Sequence, residues 1–454
     1  MSKKNGMIVA AFLLSTLTGA YADIIWTNTA GGSFQSAANW NPNAVPGGLD
    51  TAQFSTSYAG TYTVTLDASA NVTNVTLPSG QFGLTLDLNG YSLTSASNGT
   101  VALGSSAGSA IDLTVKSSNP GGEFNFSHMS FYSSVANAGG TVNIAGSNTC
   151  VNVTVGAVKE NNVLNMTTNA TLKVSDGAHF KSGKVILLGI GSYASMGGGV
   201  ASVSPKATLI VTDPGTTFTN LSQIILGKEG TNMPTMVVSN QATYIGVSSL
   251  SVGSGGDTWY SYVPKANGKL VITGTNSYCE ASYVGLSALA GEYGTEGSTA
   301  GGRVVVEKGG TLNVKGVISL SGGLSQYYTN PNPALNGSVT NANAFGEVIV
   351  QNPGSVLKVA TDVQITIAAQ GALSVLDGAA LTTGATSPLY VSIGRAGLGT
   401  VIAPFWTNVN AYGLFVVSNA DSVATFNRVV FGLYGSHGDV IVADNARLSV
   451  TNGT

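Results

Sequence analysis

Thr171-Leu-Lys-Val-Ser-Asp176 decides the fold, because this six-residue unit recurs along the rest of the 454-residue chain. In every copy the second position is apolar and the fourth is Val or Ile, and in most copies the sixth is Asn or Asp. Nine copies align, with fourth positions at Val174, Val211, Val238, Ile272, Val306, Val350, Val375, Val417 and Val442. Their sixth positions are Asp176, Asp213, Asn240, Gly274, Lys308, Asn352, Asp377, Asn419 and Asp444. Such repetition is typical of a stacked array, in which each unit buries its apolar face against its neighbours.

The residues between the units predict further short strands. Segments such as 185–189 and 250–253 are apolar and end in Gly, and period-two alternation with turn residues between is a strand signal. Two or three short strands per repeat, each ended by a turn, predict an all-β fold of the β-solenoid type. Successive units lie 25 to 44 residues apart, and we interpret the shortest spacings as one bare coil.

The longer spacings contain insertions that enter at one point of the coil, between a Gly-terminated strand and the next unit. Insertions at one phase of a stacked array are predicted to project from one side of the rod. Their approximate bounds are 191–206, 254–266, 286–301, 323–345 and 395–412.

The first 22 residues have the pattern of a secretory signal peptide. Lys3 and Lys4 precede an apolar stretch over 7–17, and Ala20-Tyr-Ala22 is a small-residue cleavage site. Cleavage is expected after Ala22, which predicts a secreted or cell-surface protein. No second long apolar stretch follows, so no membrane-spanning segment is expected in the mature chain.

The mature chain divides into three predicted regions. Residues 23–60 are rich in aromatic and turn residues and are predicted to cap the first coil, because an uncapped array exposes an apolar cross-section and open strand edges. The alternative is a carbohydrate-binding surface formed by Trp26 or Trp40. Residues 61–170 are predicted to form irregular first coils and 171–454 regular ones, and we expect truncation at the C-terminus because the chain stops within a repeat.

Composition excludes some functions and leaves a question about the two cysteines. Only 9% of the residues are charged, the formal net charge is −3, and no basic run is present. Nucleic-acid binding is therefore not predicted.

The two cysteines are predicted to be unpaired. Cys150 and Cys279 lie far apart in an array, which favours two small buried thiols over a disulfide, although an exported protein permits a disulfide.

Several stretches resemble a known group of exported bacterial proteins. The string Trp26…Asn39-Trp40…Pro46…Asp50-Thr-Ala52…Phe54 is similar to the start of large exported proteins from planctomycete, verrucomicrobial and lentisphaeral bacteria. Later stretches, such as Gly346-Glu-Val-Ile-Val-Gln-Asn-Pro-Gly-Ser-Val356, resemble the passenger-type repeats associated with autotransporters and PEP-CTERM proteins. The resemblance implies a right-handed β-helix on the cell surface or released from it, with an adhesive or matrix role and no catalytic residues.

The polar sixth position is the most regular chemical signal. Asn and Asp tolerate positive φ and bond their own backbone, so we predict a ladder of turn side chains along the rod. Its members are Asp176, Asp213, Asn240, Asn352, Asp377, Asn419 and Asp444. The alternative is a row of calcium sites at the four Asp copies, but calcium needs six or more oxygen ligands and the copies are diluted by Asn, Gly and Lys. No metal or cofactor site is therefore predicted.

An enzyme is the alternative function, because some β-helices are polysaccharide lyases or hydrolases. A hydrolase needs two carboxylates about 5–9 Å apart, and a lyase needs a carboxylate cluster and a base. The candidate side chains are single residues in separate segments, so no catalytic residue is predicted. These candidates are Glu307, Glu347, Asp362, Arg303, His128, His179 and His437.

The insertions carry aromatic residues that are the candidate ligand contacts. Exposed aromatics on one side of a rod would suit stacking on sugar rings or contact with another protein, whereas compact loops also pack their own aromatics. The residues are Trp259, Tyr260, Tyr262, Tyr293, Tyr327, Tyr328, Phe405, Trp406 and Tyr412. The sequence thus predicts a non-catalytic structural or adhesive surface protein, with extracellular polysaccharide or surface proteins as partners and a carbohydrate-active enzyme as the alternative.

Overall fold

The computed structural model of this chain is an all-β parallel β-helix built from three long sheets. Each coil runs from sheet 2 through a turn into sheet 3, then into sheet 1, and returns to sheet 2 of the next coil. This architecture confirms the predicted parallel β-helix, and the right-handed sense implied by the resemblance is the one that parallel crossovers almost always take. The structure describes residues 22–54, 60–77, 81–96, 100–103, 110–131, 139–153, 162–166, 169–183, 185–190, 206–229, 232–253, 265–286, 299–320, 343–365, 370–391, 412–431 and 437–452.

Sheet 1 has fifteen strands. In spatial order they are β3 (Trp40–Asn41), β1 (Asp23–Trp26), β4 (Thr51–Phe54), β7 (Asn74–Leu77), β10 (Thr100–Leu103), β13 (His128–Phe131), β16 (Asn162–Met166), β19 (Val185–Ile190), β22 (Ile224–Glu229), β25 (Ser249–Val252), β28 (Tyr283–Leu286), β31 (Ile318–Ser319), β34 (Val363–Gln364), β37 (Pro388–Tyr390) and β40 (Arg428–Val430).

Sheet 2 has fourteen strands and carries the six-residue units. In spatial order they are β2 (Gly32–Ser33), β5 (Thr61–Thr65), β8 (Gln81–Asp87), β11 (Ala110–Lys116), β14 (Gly139–Ala145), β17 (Asn169–Ser175), β20 (Thr208–Val211), β23 (Thr235–Ser239), β26 (Lys265–Thr273), β29 (Thr299–Glu307), β32 (Asn343–Gln351), β35 (Gln370–Leu376), β38 (Tyr412–Ser418) and β41 (His437–Val442).

Sheet 3 has thirteen strands and follows the turn after each unit. They are β6 (Ala70–Val72), β9 (Ser92–Ser95), β12 (Gly122–Phe126), β15 (Thr149–Val153), β18 (His179–Ser182), β21 (Thr217–Asn220), β24 (Thr243–Gly246), β27 (Tyr278–Ala281), β30 (Thr311–Val314), β33 (Val356–Val359), β36 (Ala380–Thr383), β39 (Val423–Phe426) and β42 (Arg447–Val450).

Helical structure among the described residues is limited to one 3₁₀ turn, η1 (Ala37–Asn39). In the part of the chain that the structure covers, no helix is long and apolar enough to cross a membrane.

The fourth positions of the units form a continuous stack inside the rod. They face one another in register on neighbouring strands of sheet 2, from Val174 to Val442. Eight of the nine have no exposed surface, whereas Val442, in the last coil, is 45% exposed. Because burying such a side chain stabilises a fold by roughly 1.5–3 kcal/mol, each coil depends on the coil that covers it.

The first coil is closed by a cluster of aromatic side chains. Trp26 and Trp40 are buried with their rings edge to face, 5.0 Å apart, and Phe34 and Phe54 pack against them. The indole of Trp40 donates to the backbone oxygen of Phe34 at 2.8 Å, and β3 pairs antiparallel with β1 at the end of sheet 1. The alternative in which Trp26 or Trp40 stacks on a sugar is therefore wrong, because both rings are covered by the protein.

The two cysteines are free, and they occupy different environments. Cys279 points inward on β27 and is fully buried, as expected for a small apolar side chain. Cys150 is only half-buried, because it takes an outward position on β15 between Glu123 and His179 of the neighbouring strands. The prediction of a buried thiol is right for Cys279 and wrong for Cys150.

Candidate recognition surface beside the insertion corner

The sixth-position residues and the ends of the predicted insertions lie at two different corners of the coil. The turn corner is the bend between sheet 2 and sheet 3, formed by each sixth-position residue and the residues that follow it. The insertion corner is the bend between sheet 1 and sheet 2, where the first residues of β26, β29, β32, β35 and β38 lie.

At the turn corner, all nine sixth-position residues have positive φ, between 50° and 92°. Asn, Asp and Gly are the residues that adopt this region at least cost, which gives a physical reason for their choice here. Lys308, with a φ of 53°, is the one bulky exception among the nine.

The turns take two forms that alternate from coil to coil. In the short form, two successive residues have positive φ, as in a two-residue type I′ turn. These turns are Asp176-Gly177, Asn240-Gln241, Lys308-Gly309, Asp377-Gly378 and Asp444-Asn445. In the long form, the first and third residues have positive φ, in Asp213-Pro-Gly215, Gly274-Thr-Asn276, Asn352-Pro-Gly354 and Asn419-Ala-Asp421. The true repeat of this region is therefore a pair of coils.

A buried hydroxyl joins the two coils of each pair. A Ser or Thr follows each long turn and is buried, whereas Ala or Gly follows each short turn. The hydroxyl oxygen accepts the backbone N–H of the preceding short turn, from Gly177 to Thr216 (2.9 Å), Gln241 to Ser277 (3.1 Å), Gly309 to Ser355 (3.0 Å) and Gly378 to Ser422 (3.0 Å). The hydroxyl of Ser277 in turn donates to the Thr273 carbonyl at 2.8 Å, so donor and acceptor are both satisfied inside the rod.

Two pairs of the predicted ladder side chains are hydrogen-bonded to each other, Asn240 to Asp213 and Asn419 to Asp377. The Asn240 amide donates to Asp213 at 2.7 Å, and the same carboxylate accepts the backbone N–H of Asp176 at 3.3 Å. Further along, the Asn419 amide donates to Asp377, and the Ser418 hydroxyl donates to Asp444 at 2.7 Å. Gly274 and Lys308 separate the two pairs. Within the described ranges, no three His, Cys, Asp or Glu side chains are placed to hold a metal ion.

The insertion corner is marked by a row of glycines that the six-residue pattern does not include. They lie in register at Gly268, Gly302, Gly346, Gly371, Gly413 and Gly438. A Cβ at Gly346 would lie 1.4 Å from the Leu320 carbonyl oxygen, and one at Gly371 would lie 2.0 Å from that of Ile365. Only glycine allows the end of a sheet 1 strand to approach the start of a sheet 2 strand this closely. Four of the five predicted insertions, 254–266, 286–301, 323–345 and 395–412, end one or two residues before a glycine of this row.

Most of the predicted ligand contacts lie outside the described residues. These are Trp259, Tyr260, Tyr262, Tyr293, Tyr327, Tyr328, Phe405 and Trp406. Tyr412 is described, as the first residue of β38, where its side chain is 39% exposed. Its hydroxyl donates to Asp439 at 2.7 Å, and this bond holds the pKa of the Tyr412 phenol above its ordinary value.

Tyr412 belongs to an outward row of flat side chains along the insertion corner. The planar row consists of Phe345, Gln370, Tyr412 and His437, which face one another in register on β32, β35, β38 and β41. All four are exposed. The sequence analysis placed Phe345 within an insertion and did not identify it as a contact residue. Phe345 lies two residues before Glu347 and four before Ile349, and this even spacing puts all three on the outer face of the strand.

A second outward row runs beside the planar row. It contains Glu347, Ala372, Leu414 and Asp439 in register. The guanidinium of Arg303 contacts the Glu347 carboxylate at 2.9 Å, so this carboxylate is partly neutralised. The two rows together form a narrow, rigid surface with aromatic, amide and carboxylate groups.

Apart from the Arg303–Glu347 ion pair, the ionisable residues considered for catalysis lie in separate places. His128, His179 and His437 belong to sheets 1, 3 and 2, respectively, and His179 contacts the Thr217 hydroxyl at 2.7 Å. Glu307 accepts bonds from Thr273 (3.2 Å) and Gln351 (2.9 Å). Asp362 precedes β34, where its backbone oxygen accepts the Ile318 N–H at 3.1 Å.

One dense polar cluster lies on the outer face of sheet 3. Tyr278 donates to Glu280 at 2.5 Å, the Asn313 amide donates to Glu280 at 2.8 Å, and Lys315 lies 3.1 Å from the same carboxylate. Partial burial opposes ionisation of Glu280, but the hydrogen bonds from Tyr278, Lys315 and Asn313 outweigh it and keep the pKa of Glu280 below its ordinary value. The cluster holds a single carboxylate that is already bonded, which is not the pair that glycoside hydrolysis requires.

Comparisons with known proteins give little further information. No protein-family model matches the chain, and no curated protein matches its sequence. Among solved structures, the chain is similar to the TibC-catalyzed hyper-glycosylated TibA55-350 fragment. The match covers 92% of this chain and 99% of that chain, at 12% identity and a TM-score of 0.25, which is too low to assign a shared fold.

Proposed function

We propose that this chain is an exported, non-catalytic β-solenoid that acts as a structural or adhesive element at the cell surface. The observation that carries the proposal is the position of the planar row. Exposed flat side chains lie along the same corner at which the predicted insertions rejoin a rigid stack of coils. Rigid scaffolds with variable segments at one edge are a common arrangement for recognition.

Export is proposed from the sequence of the N-terminus. The predicted cleavage after Ala22 leaves Asp23 as the first residue, and Asp23 is also the first residue of β1. The first described strand therefore begins at the residue that the predicted cleavage would leave at the N-terminus. We also propose kinship with the autotransporter- and PEP-CTERM-associated repeat proteins, on the resemblance of the stretches at Trp26–Phe54 and Gly346–Val356 described above.

The proposal is tested by expressing the full chain with its own leader in a Gram-negative host. Mass spectrometry of the exported protein is expected to find Asp23 at the N-terminus. The purified protein is then incubated with cell-surface preparations and with a panel of extracellular polysaccharides. We expect binding to at least one of these without chemical change to the polysaccharide.

The same incubation separates adhesion from catalysis. A polysaccharide lyase would release products with the ultraviolet absorbance of an unsaturated uronate, and a hydrolase would release new reducing ends. Either release, above the level given by heat-denatured protein, would contradict the non-catalytic proposal. Retention of the protein in the cytoplasm with its leader intact would contradict the proposal of export.

A further inference from the structure

We infer that the planar row is a binding platform for an extended, uncharged polysaccharide that lies along the rod axis, across the strands of sheet 2. This inference rests on the proposed adhesive function and adds the site and the class of ligand. The platform is made by Phe345, Gln370, Tyr412 and His437, which are exposed and lie in one register.

The spacing of the row fits a chain of sugar rings. Neighbouring strands lie about 4.8 Å apart, and Phe345 and Tyr412 are two strands apart with Gln370 between them. Pyranose rings in an extended glycan recur at a distance close to this strand spacing. Alternate rings of one glycan chain would therefore meet the two aromatic side chains, while the ring between them faces the Gln370 amide.

The chemistry of the side chains suits the two kinds of surface that a sugar presents. An aromatic face carries partial negative charge and attracts the C–H groups on the flat face of a pyranose. The Gln370 amide can both donate to and accept from hydroxyl groups. The carboxylates of Glu347 and Asp439, in the adjoining row, accept charge-assisted hydrogen bonds from hydroxyls.

Charge favours an uncharged ligand over an acidic one. Glu347 is paired with Arg303 at 2.9 Å, whereas Asp439 is exposed and bonded only to the Tyr412 hydroxyl among the contacts described here. An acidic polysaccharide would bring its own carboxylates close to Asp439, and such like-charge contacts oppose binding. A neutral, hydroxyl-rich chain meets no such repulsion.

The row is held in place before a ligand arrives. Strands β35 and β38 pair continuously from Gln370 and Tyr412 to Leu376 and Ser418, and the Tyr412 ring is further fixed by its bond to Asp439. Fixed side chains lose less conformational entropy on binding.

The width of the row favours a glycan over a protein partner. A stable protein partner would cover about 800 Å² on each side around an apolar centre. The planar row is one residue wide and lies beside charged groups, so a linear glycan fits it better.

The test measures binding of the purified full-length chain to soluble neutral and acidic polysaccharides by affinity electrophoresis. Phe345→Ala and Tyr412→Ala are each expected to weaken binding of a neutral polysaccharide about three- to tenfold, the loss of one aromatic contact. Tyr412→Phe keeps the ring and is expected to lose less than Tyr412→Ala. Tyr283→Ala is the matched control, because Tyr283 is 40% exposed but lies on sheet 1. Unchanged circular dichroism and thermal midpoint show that the variants are folded.

The outcomes separate this inference from the proposed function. If the wild-type chain binds a neutral polysaccharide and the two Ala variants bind it equally well, the platform is wrong and adhesion stands. Preference for acidic polysaccharides, or loss of protein binding alone in the two variants, likewise overturns the glycan platform. Product release that depends on Phe345 and Tyr412 would uphold the platform and overturn the non-catalytic function.

Discussion

At the turn corner, the N–H of Gly309 and the hydroxyl of Ser355 bond to each other inside the stack, whereas at the insertion corner Phe345 and Tyr412 point outwards into solvent. Both corners belong to the same coils, and each occurs once in every coil. At the turn corner, the hydrogen-bonding groups of one coil are used by the next. At the insertion corner, a buried glycine makes the bend and the outward side chain beside it is exposed.

The difference between the two corners separates stability, which comes from contacts between coils, from the chemistry of the outer surface. A stack gains its stability from nearest-neighbour interfaces, so residues that join coils are constrained by the coil above and below. The planar row on the outer face of sheet 2 is exposed, and it contains Phe, Gln, Tyr and His in successive coils. Variation at the outer row changes the surface without changing the stack.

The largest effect is expected from the buried side of the insertion corner. Gly346→Ala would place a Cβ 1.4 Å from the Leu320 carbonyl oxygen, which neither strand can avoid without moving. Overpacking against backbone typically costs about 1–3 kcal/mol and occasionally more, and we expect the upper end or a failure to fold. Urea unfolding followed by circular dichroism gives the change in free energy.

Ser374→Ala is the control for this substitution. Ser374 lies on the outer face of β35, the next strand of sheet 2, and is half-buried, so its loss is expected to change stability by less than about 0.5 kcal/mol. Equal stability of Gly346→Ala and Ser374→Ala would show that the glycine row does not make the bend.

The next effect concerns the paired coils of the turn corner. Ser355→Ala removes the acceptor of the Gly309 N–H, whose donor–acceptor distance is 3.0 Å, and leaves that donor unsatisfied. We expect a loss of about 1–3 kcal/mol. Ser422→Ala, which removes the acceptor of the Gly378 N–H, is expected to behave alike. Hydrogen exchange of the Gly309 and Gly378 amides would accelerate in the matching variant only, and exchange that stays slow in both would argue against the hydroxyl bond.

The sequence predicted the β-helix because one buried position repeats with little variation. The Val or Ile at position four, with apolar residues two positions earlier, is a period-two signal that a fully buried strand requires, and the stack from Val174 to Val417 bears it out. The alternation of short and long turns was not predicted. Its signal is present, as a Ser or Thr after turns such as Asn352-Pro-Gly354 and an Ala after turns such as Asp377-Gly378, but it appears only when the units are read in pairs.

The candidate surface was less predictable than the stack. Tyr412 was identified by its type, yet its partner Asp439 lies 27 residues away, and only the register of β38 and β41 brings them together. Phe345 was assigned to an insertion, whereas β32 begins three residues before the glycine that marks the bend. An outward side chain has no repeating neighbour in the sequence, so the row it joins depends on strand pairing across insertions of different length.

A smaller effect is expected at the polar sixth position. Asp377→Ala places a side chain without a local hydrogen-bonding group at a φ of 55°, where L-residues other than Asn, Asp and Gly lose roughly 1–2 kcal/mol. Asp377→Gly tolerates the same φ, so it separates backbone strain from the lost bond to the Asn419 amide. The expected order of thermal midpoints is wild type, then Asp377→Gly, then Asp377→Ala. An Ala variant as stable as the Gly variant would show that positive φ does not select the residue.

The smallest effect is expected at Tyr412, where stability is not at stake because the ring is exposed. The hydrogen bond to Asp439 raises the pKa of the phenol above its ordinary value of about 10. A raised pKa means that the neutral phenol, and with it the bond to Asp439, persists through neutral pH and is lost only as pH rises through that higher value. The difference in tyrosinate absorbance between wild type and Tyr412→Phe isolates this titration. Asp439→Asn, which removes the carboxylate, is expected to bring the midpoint back towards the ordinary value, and an unmoved midpoint would mean that Asp439 does not hold the ring. Because the Tyr412 side chain is exposed, we expect Asp439→Asn to change the titration of the phenol and to leave the thermal midpoint of unfolding unchanged. This combination would show that side chains of the outer row can change without a loss of stability in the stack beneath them.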